Sequence, residues 1–294
     1  MFSGSIVALV TPFEKDGGVD FSALKKMIDF HIEEGTEGLV LCGSTGEGAL
    51  LTSEEKLSIF AYSAEAVKGR IPIVANTGTC STRESIFLTE SAKRVGVDGA
   101  LVIVPYYCRP TEEGIYRHFV EIAEVGLPLI AYHHPGRTGI KLSVEGLANL
   151  AEIPNVEAIK EASCDLEFAT KVMELTSCPL LSGDDVLAFA QMAIGFQGSI
   201  SIVGNVIPHL WKEMVDAALA KHFDRAKVVF DNVVGLCRAL VLETNPQCVK
   251  YAAHLSGLCS SALRLPLIEP SKENQLHIER ELNEIPKLLG QLCH

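Results

Sequence analysis

The fold class turns on residues 198–222, GSISIVGNVIPHLWKEMVDAALAKH, where a short β-branched run is followed by an amphipathic helical pattern. This is the eighth such unit in the chain. The seven earlier runs are SIVALV from Ser5, GLVLC from Gly38, IPIVAN from Ile71, GALVIV from Gly99, PLIAYH from Pro128, VEAIK from Val156 and PLLSG from Pro179. Because parallel strands need a long crossover, usually a helix, the alternation predicts a parallel sheet.

Two architectures satisfy this alternation: an open doubly wound sheet and a closed (β/α)8 TIM barrel. Eight units over about 220 residues favour the barrel, because barrels are typically close to that size. After residue 222 the strand signals stop and the pattern is purely helical. We therefore predict a catalytic (β/α)8 barrel over residues 1–222 and a C-terminal three-helix domain over residues 223–294.

The composition excludes several classes of partner. The 294-residue chain has a formal net charge of −12, which argues against nucleic acids and anionic membranes. No apolar run approaches the roughly 20 residues that span a bilayer, and the N-terminus resembles a first strand more than a signal peptide. The cysteines number nine, an odd count, and form no CxxC motif. Free thiols in a reducing compartment fit best, so we predict a cytoplasmic protein.

The sixth run, VEAIKEAS at residues 156–163, carries a lysine in a strand that should belong to the core. Burying an ammonium group without a partner is costly, so Lys160 needs an explanation. Strand alternation places it on the same face as Val156, Ala158 and Ala162, and the alanines would leave room for it inside a barrel. Lys160 also lies at the C-terminal end of the strand, where barrel enzymes have their active sites.

Position alone leaves two roles open for this lysine. In a pocket, burial lowers the pKa of an amine, which can then attack a ketone and form a Schiff base. Alternatively, Lys160 forms an ion pair at the strand end with Glu157 or Glu161. The residues at the other strand ends must decide between the two roles.

The loops after strands two and five supply polar groups. Residues 43–48, GSTGEG, expose amide N–H groups and the hydroxyls of Ser44 and Thr45, which suits a carboxylate or a phosphate, although a plain turn also explains them. The loop lacks the lysine and spacing of a P-loop, which disfavours nucleotides. After strand five, Tyr132 could shuttle a proton and Arg137 could clamp a second carboxylate.

The remaining strand ends are less specific. Strand four ends in the adjacent pair Tyr106 and Tyr107, which an exposed or interface position would explain. Strand seven ends in SGDD at residues 182–185, where the acidic pair could cap the next helix or bind substrate, and capping fits at least one of them. Strand eight gives GSIS at residues 198–201, where a ligand could approach the backbone, although core packing explains its isoleucine equally well.

A metal site is disfavoured. His133 and His134 are adjacent, and neighbouring residues on a strand point to opposite faces, so the two rings do not readily share one ion. The sequence has no HExxH motif and no clustered third ligand. We predict neither a metal nor a cofactor.

Together, the motifs VTPF, GSTGE, PYYCRP, YHHPGRTG, IKEAS and SGDD resemble the dihydrodipicolinate synthase family, within the N-acetylneuraminate lyase superfamily of pyruvate-dependent class I aldolases. The resemblance runs from Phe2 to Pro266, nearly the whole chain. It implies condensation of pyruvate with aspartate semialdehyde to give 4-hydroxy-tetrahydrodipicolinate, a step of diaminopimelate and lysine synthesis. It also implies association with further copies of the chain, as a dimer or a tetramer.

The resemblance implies four catalytic residues. Lys160 would form the Schiff base with pyruvate. Tyr132 would shuttle protons at the nascent imine. A hydroxyl of the loop, here Ser44, and a tyrosine that crosses from a neighbouring subunit, here Tyr107, would complete the proton relay.

The resemblance also implies four residues that bind substrate. Thr45 and its loop amides would hold the pyruvate carboxylate, and Arg137 would bind the carboxylate of aspartate semialdehyde. Gly183 and Ile200, at the ends of strands seven and eight, would contact substrate.

Several positions depart from the family pattern. Ser44 replaces the first threonine of GTTGE, and GSTGE also occurs in sialic-acid lyases, so this loop does not separate the two activities. Arg137, followed by Thr-Gly, favours the synthase, because the lyases typically lack this arginine. His133 stands where asparagine is usual, and Cys108 where asparagine or another polar residue is usual. Two other functions stay open: a lyase for N-acetylneuraminate or another keto-sugar acid, and a non-catalytic sensor of keto acids.

In lysine-inhibited members of the family, histidines and an asparagine help to form the inhibitor site. Ser53, Lys56 and Cys80 occupy the matching places here, while Glu84 and Tyr106 are retained. The charge of Lys56 would repel a lysine ammonium group. Feedback inhibition by lysine is therefore disfavoured.

Overall fold

The computed structural model describes residues 2–292, with side chains described as far as residue 285. Eight parallel strands pair in chain order and close into a barrel. They are β1 (Gly4–Ala8), β2 (Gly38–Leu41), β3 (Ile73–Asn76), β4 (Gly99–Ile103), β5 (Leu129–His133), β6 (Val156–Glu161), β7 (Leu180–Ser182) and β8 (Gly198–Ser201). The prediction of a TIM barrel is confirmed, and the alternative of an open sheet is wrong.

Helices follow the strands and form the outer layer. They are α1 (Phe21–Glu33), α2 (Ser53–Val67), α3 (Thr82–Arg94), α4 (Glu112–Ala123), α5 (Pro135–Thr138), α6 (Val144–Ala151), α7 (Leu166–Leu175), α8 (Ala188–Ala193) and α9 (Pro208–Leu219). Short 3-10 turns occur at Gly48–Leu50 and Val203–Asn205. The one-turn helix α5 directly follows β5, so it brings YHHPGRTG to the C-terminal end of the barrel.

The barrel closes where the first and last strands meet. β1 pairs with β8 in parallel, with Gly4 opposite Gly198 and Ile6 opposite Ile200. Gly198 has a φ of +145°, and a Cβ built there would lie 2.3 Å from the Gly4 carbonyl oxygen. A side chain at this position would therefore push the two strands apart, which explains the glycine that opens the eighth run.

The core has two layers. Side chains that point into the barrel pack with one another, among them Ile6, Leu101, Ile130, Ala158 and Ala162. A larger cluster fills the space between the sheet and the helices. This is the expected arrangement for a barrel whose strands are buried on both faces.

One detail of the predicted sixth strand is wrong. Val156 was placed inside the barrel with Ala158, but it packs in the outer layer. The pairing of β5 with β6 shifts register here, since Val156 lies opposite Leu129 while Ala158 lies opposite the next residue, Ile130. The extra residue on β6 forms a bulge, which breaks the alternation.

Three helices follow the barrel: α10 (Phe223–Ala239), α11 (Gln247–Leu255) and α12 (Lys272–Leu292). Residues 240–246, between α10 and α11, reach the C-terminal mouth of the barrel. The three predicted helical stretches are thus present, although residues 293–294 lie outside the described part. The division of the chain into two domains at residue 223 stays a prediction. Within residues 2–292, no helix combines the length and the apolar character needed to span a membrane.

Candidate active site

A cavity of about 720 Å³ opens at the C-terminal ends of the strands. Six of the eight predicted site residues line it: Ser44, Thr45, Tyr132, Arg137, Lys160 and Gly183. They come from β5, from β6 and from the loops after β2, β5 and β7. This agrees with the rule that barrel enzymes build their sites from several strand ends.

Lys160 lies at the base of the cavity and is 6% exposed. It pairs in register with Tyr132 on β5, and its Nζ lies 4.5 Å from the centre of the Tyr132 ring. Burial lowers the pKa of this lysine to about 7, although the charge of Asp185 works in the opposite direction. Near neutral pH a substantial fraction of the group is therefore the uncharged, nucleophilic amine.

The alternative role for Lys160, an ion pair with Glu157 or Glu161, is wrong. Glu161 is fully buried on the other face of β6, where its Oε2 lies 2.6 Å from His133 Nδ1. Its Oε1 accepts a hydrogen bond of 2.5 Å from the Ser163 N–H. Within the described side chains, no carboxylate lies within ion-pair distance of Lys160.

Gly183 gives the lysine its space. A Cβ built at this glycine would lie 2.7 Å from Ala162 Cβ and 3.0 Å from Lys160 Cε. Any larger residue would therefore displace the end of the lysine side chain. Gly183 acts by leaving room beside the amine, and a direct contact between this residue and substrate stays a prediction.

Tyr132 places its phenol beside the amine. The residue is almost completely buried, and burial raises the pKa of its hydroxyl to about 12. The charge of Arg137 and a hydrogen bond with the Ser44 side chain favour the ionised form and limit the rise. The phenol is therefore protonated at neutral pH and can donate a proton to a neighbouring oxygen.

The GSTGEG loop is held in one conformation by its glycines. A Cβ at Gly48 would lie 1.8 Å from the Cys42 carbonyl oxygen, so no other residue fits there. The N–H groups of Glu47 and Gly48 donate to oxygens within the loop, at 3.2 and 3.0 Å. Among the described residues, the N–H groups of Ser44 and Thr45 have no protein acceptor. They are thus free to bind an anion, as a nest of amide donors does.

Sequence reasoning missed Asn245, which lies between α10 and α11. Its Nδ2 donates to Thr45 Oγ1 at 3.0 Å, and its carbonyl oxygen accepts from Arg137 Nη2 at 3.1 Å. It therefore joins two predicted binding residues from different segments, Thr45 in the loop after β2 and Arg137 on α5. The Asn-Pro sequence marks a turn but gives no indication of this partner.

The acidic pair after β7 divides into two roles. Asp184 Oδ1 accepts from the Leu187 N–H at 2.9 Å in the turn before α8, but Leu187 is the N-cap of α8 and no side chain caps this helix, so capping by the acidic pair is wrong. Asp185 is buried and accepts from the N–H groups of Ile202 and Val203 at 2.9 and 2.6 Å. Burial raises the pKa of Asp185 to about 6. Its charge is the one that partly offsets the lowering of the Lys160 pKa.

The two adjacent histidines point in different directions, as predicted. His133 is fully buried, bound to Glu161 on one side and accepting from the Leu142 N–H through Nε2 at 3.3 Å on the other. His134 lines the cavity. In the described part of the chain, no cluster of three or more His, Cys, Asp or Glu side chains is arranged to hold a metal ion.

Two predicted site residues do not line the cavity of their own chain. Tyr107 is 93% exposed and has a φ of +65° in the loop after β4. Ile200 is fully buried inside the barrel, while Ile202, two residues further on, lines the cavity. The roles assigned to Tyr107 and Ile200 stay predictions.

The family model for the dihydrodipicolinate synthetase family matches residues 1–285. The chain belongs to this family. The 4-hydroxy-tetrahydrodipicolinate synthase of Persephonella marina is 45% identical over 289 residues, which are 97% of this chain and 98% of the relative. The crystal structure of the Aquifex aeolicus dihydrodipicolinate synthase superposes with a TM-score of 0.95 at 40% identity, covering 97% of this chain and 98% of that one. An Acinetobacter baumannii dihydrodipicolinate synthase, crystallised in complex with pyruvate, gives a TM-score of 0.92 at 40% identity, covering 97% and 99%.

Three residues that depart from the dihydrodipicolinate synthetase pattern lie in different surroundings. Ser44 preserves a hydroxyl beside Tyr132, where it limits the rise in the pKa of the phenol, although the residue differs. His133 lies below the cavity and fixes Glu161, the residue next to the Schiff-base candidate. Cys108 lies in the exposed loop of Tyr107, with its sulfur 4.0 Å from the Cys80 carbonyl oxygen.

Two of the positions that match the family's inhibitor site, Lys56 and Tyr106, line a second cavity of about 270 Å³. Ser53 Oγ donates to Glu84 Oε1 at 2.5 Å. Burial lowers the pKa of Lys56, although nearby groups including Glu84 favour its charged form. The absence of feedback inhibition by lysine stays a prediction.

Proposed function

We propose that the chain is a 4-hydroxy-tetrahydrodipicolinate synthase, which condenses pyruvate with L-aspartate 4-semialdehyde through a Schiff base on Lys160. The observation that carries this proposal is the buried amine of Lys160, with its pKa lowered to about 7 beside a protonated phenol. The curated relatives with this name cover nearly the whole chain at 41–45% identity.

The first half-reaction would use the base of the cavity. The Lys160 nitrogen adds to the ketone carbon of pyruvate, and Tyr132 donates a proton to the oxygen, which leaves as water from the carbinolamine. Ser44 would return a proton to Tyr132, because its hydroxyl lines the same cavity and stabilises the ionised form of the phenol. The free N–H groups of Ser44 and Thr45 would hold the pyruvate carboxylate.

The second half-reaction would form the carbon–carbon bond. Loss of a proton from the methyl carbon converts the imine to an enamine, and that carbon attacks the aldehyde carbon of the second substrate. The aldehyde oxygen takes up a proton and becomes a hydroxyl. The amino group of the second substrate then adds to the imine carbon, which closes the ring and releases the Lys160 amine. This chemistry needs no cofactor, because the protonated imine is itself the electron sink.

Arg137 is the group that would select the aldehyde. It lines the cavity on α5, and its guanidinium is oriented by the Asn245 carbonyl oxygen. Replacing Arg137 by leucine should lower kcat/KM for aspartate semialdehyde about 10- to 100-fold, because a charge-assisted hydrogen bond to the carboxylate is lost. Steady-state kinetics with each substrate varied in turn would measure this.

The matched control is Arg117→Leu on the exposed face of α4, which should leave both kinetic constants unchanged. The pyruvate adduct formed by Arg137→Leu should match that of the unmodified protein. Full turnover of aspartate semialdehyde by Arg137→Leu would contradict this role and the choice of aldehyde.

A second candidate function keeps the pyruvate imine and changes the aldehyde, as in a lyase for N-acetylneuraminate or another keto-sugar acid. The fixed cation of Arg137 favours an aldehyde that carries a carboxylate. A direct comparison of aspartate semialdehyde with sugar aldehydes, each with pyruvate, separates the two. Product formation from the sugar aldehydes alone would overturn the proposed function.

We also propose that the chain works as a homo-oligomer in which Tyr107 completes the site of a neighbouring copy. Its 93% exposure and its position outside its own cavity support this. Co-expression of Tyr107→Phe with Lys160→Ala should give mixed oligomers with partial activity, whereas each variant alone should be nearly inactive. If the mixture is as inactive as its components, Tyr107 does not act across an interface.

A cytoplasmic location is part of the proposal. The cysteines of the described chain, among them the exposed Cys80, Cys108 and Cys164, are all free thiols. Free exposed thiols suit a reducing compartment. Cell fractionation that recovers the protein outside the cytoplasmic fraction would contradict this location.

A further inference from the structure

His134 is a cavity residue that the steps above do not use. It follows His133 at the end of β5 and precedes α5, and its carbonyl oxygen accepts from the N–H groups of Arg137 and Thr138 at 3.0 and 3.1 Å. These bonds fix the backbone at residue 134. The ring lies edge-on to Tyr132, with 5.8 Å between ring centres and 67° between planes. The imidazole is therefore held in one place on the cavity wall.

Gly136 keeps the ring in that place. A Cβ built at Gly136 would lie 3.3 Å from His134 Cε1 and 3.5 Å from Nδ1. A residue with a side chain would press on the imidazole from behind. In the sequence HPG at residues 134–136, the glycine therefore leaves the space that the His134 ring occupies.

The two ring nitrogens differ. Nδ1 is buried and has no hydrogen-bond partner, so a hydrogen bond from this ring to a bound molecule would come from Nε2. A buried N–H without an acceptor is rarer in proteins than an under-satisfied acceptor, which assigns the proton to Nε2. Burial, followed by the charges of Arg137 and Lys160, lowers the pKa of His134 to about 4. The ring is thus neutral at pH 7 and offers one donor, the Nε2 N–H.

We propose that His134 is a specificity-determining residue that donates a hydrogen bond from Nε2 to an oxygen of the aldehyde substrate. This inference rests on the proposed function and adds a second recognition group to it. A substrate whose carboxylate lies on Arg137 and whose aldehyde reaches the pyruvate adduct on Lys160 must lie between those two residues. His134 lies close enough to both to be influenced by their charges. Pyruvate, held at the Ser44–Thr45 loop, does not need this donor.

Two substitutions distinguish the role of Nε2 from that of Nδ1. The side-chain amide nitrogen of glutamine reaches the place of Nε2, whereas that of asparagine reaches only the place of Nδ1. His134→Asn should raise KM for aspartate semialdehyde about tenfold, the effect of one lost hydrogen bond to a charged or strongly polar group. His134→Gln should stay within about threefold of the unmodified protein. The surface variant His209→Gln, away from the cavity, should change nothing.

The borohydride-trapped pyruvate adduct gives the independent measurement. In His134→Asn, His134→Gln and His209→Gln, the adduct should form at the same rate and with the same dependence on pyruvate concentration as in the unmodified protein. The reason is that the Nε2 donor acts on the second substrate. Equal KM values for the asparagine and glutamine variants would overturn the role of Nε2. An equal rise in the KM of pyruvate would indicate a purely structural ring and overturn it as well. Failure of the unmodified protein to use aspartate semialdehyde, with the adduct still formed, would instead refute the proposed function.

Discussion

Replacing Lys160 by alanine is expected to lower kcat by about three orders of magnitude or more, as removal of a covalent catalytic group does in other enzymes. The same substitution should abolish the pyruvate adduct, because the carbon–nitrogen bond to this amine precedes every later step. Mass spectrometry of the intact protein after treatment with pyruvate and borohydride would measure the adduct. Peptide mapping of the unmodified protein should place it on Lys160.

The control is Lys171→Ala, which removes an exposed lysine of α7 that pairs with Glu167. This variant should form the adduct as the unmodified protein does. An adduct that persists in Lys160→Ala would place the Schiff base on another amine and refute the mechanism.

The pH dependence of adduct formation tests the buried state of the same amine. Burial lowers the pKa of Lys160 from 10.5 to about 7, and the uncharged form is the nucleophile, so the rate should rise with pH. A pKa near 7 predicts a rise of about tenfold from pH 6 to pH 8 and a plateau above that. A lysine with its ordinary pKa would instead give a rise of about 100-fold over the same range, without a plateau. The second pattern would show that the amine is solvated.

The positions of the strands could be read from the sequence because each β-branched run is bounded by glycine, proline or a helical pattern. All eight observed strands overlap the predicted runs. The sequence was a weaker guide to which side chains point into the barrel. Ala158 and Ala162 point inward as alternation requires, but Val156 does not, because the bulge depends on how β6 pairs with β5. A register shift is a property of two strands and leaves no mark in the pattern of one.

Site residues could be predicted from the sequence where their position at the end of one strand was enough to place them. Lys160, Tyr132 and Arg137 each lie at a strand end, and the barrel brings strand ends together. Asn245 was missed because its contact with Thr45 joins positions 200 residues apart. Only packing of the C-terminal helices on the barrel mouth creates such a contact. The roles of Ser44 and Tyr107 were predicted from the family resemblance. Their residue types alone did not indicate these roles.

A buried ion pair that supports the GSTGEG loop was also missed, because it joins residues that are far apart in the sequence. Glu47, whose φ is +53°, has its Oε1 2.5 Å from Lys250 Nζ on α11, and both side chains are 0% exposed. Its Oε2 accepts from the Arg264 N–H at 3.0 Å. Lys250 Nζ also lies 3.9 Å from the centre of the Phe13 ring. The ion pair between Glu47 and Lys250 thus fixes the loop that carries Ser44 and Thr45 to α11.

Replacing Lys250 by methionine is expected to lower the free energy of unfolding by about 3–5 kcal/mol, because it leaves the Glu47 carboxylate buried without its counter-charge. Urea unfolding followed by circular dichroism and by tryptophan fluorescence would measure the loss, and coincidence of the two transitions would justify a two-state treatment. We also expect weaker pyruvate binding, since the conformation of residues 43–48 depends on Glu47.

A second substitution separates loss of the charge pair from loss of packing. The double variant Glu47→Gln with Lys250→Met removes both charges and should recover part of the stability, because an uncharged amide costs less to bury than an unpaired carboxylate. The exposed pair of Lys171 and Glu167 offers the surface comparison, and Lys171→Met should leave the unfolding midpoint unchanged. If Lys250→Met is as harmless as Lys171→Met, then Glu47 is reached by water or held by the Arg264 N–H alone. In that case the C-terminal helices would contribute to the mouth of the cavity through Asn245 and not through this charge.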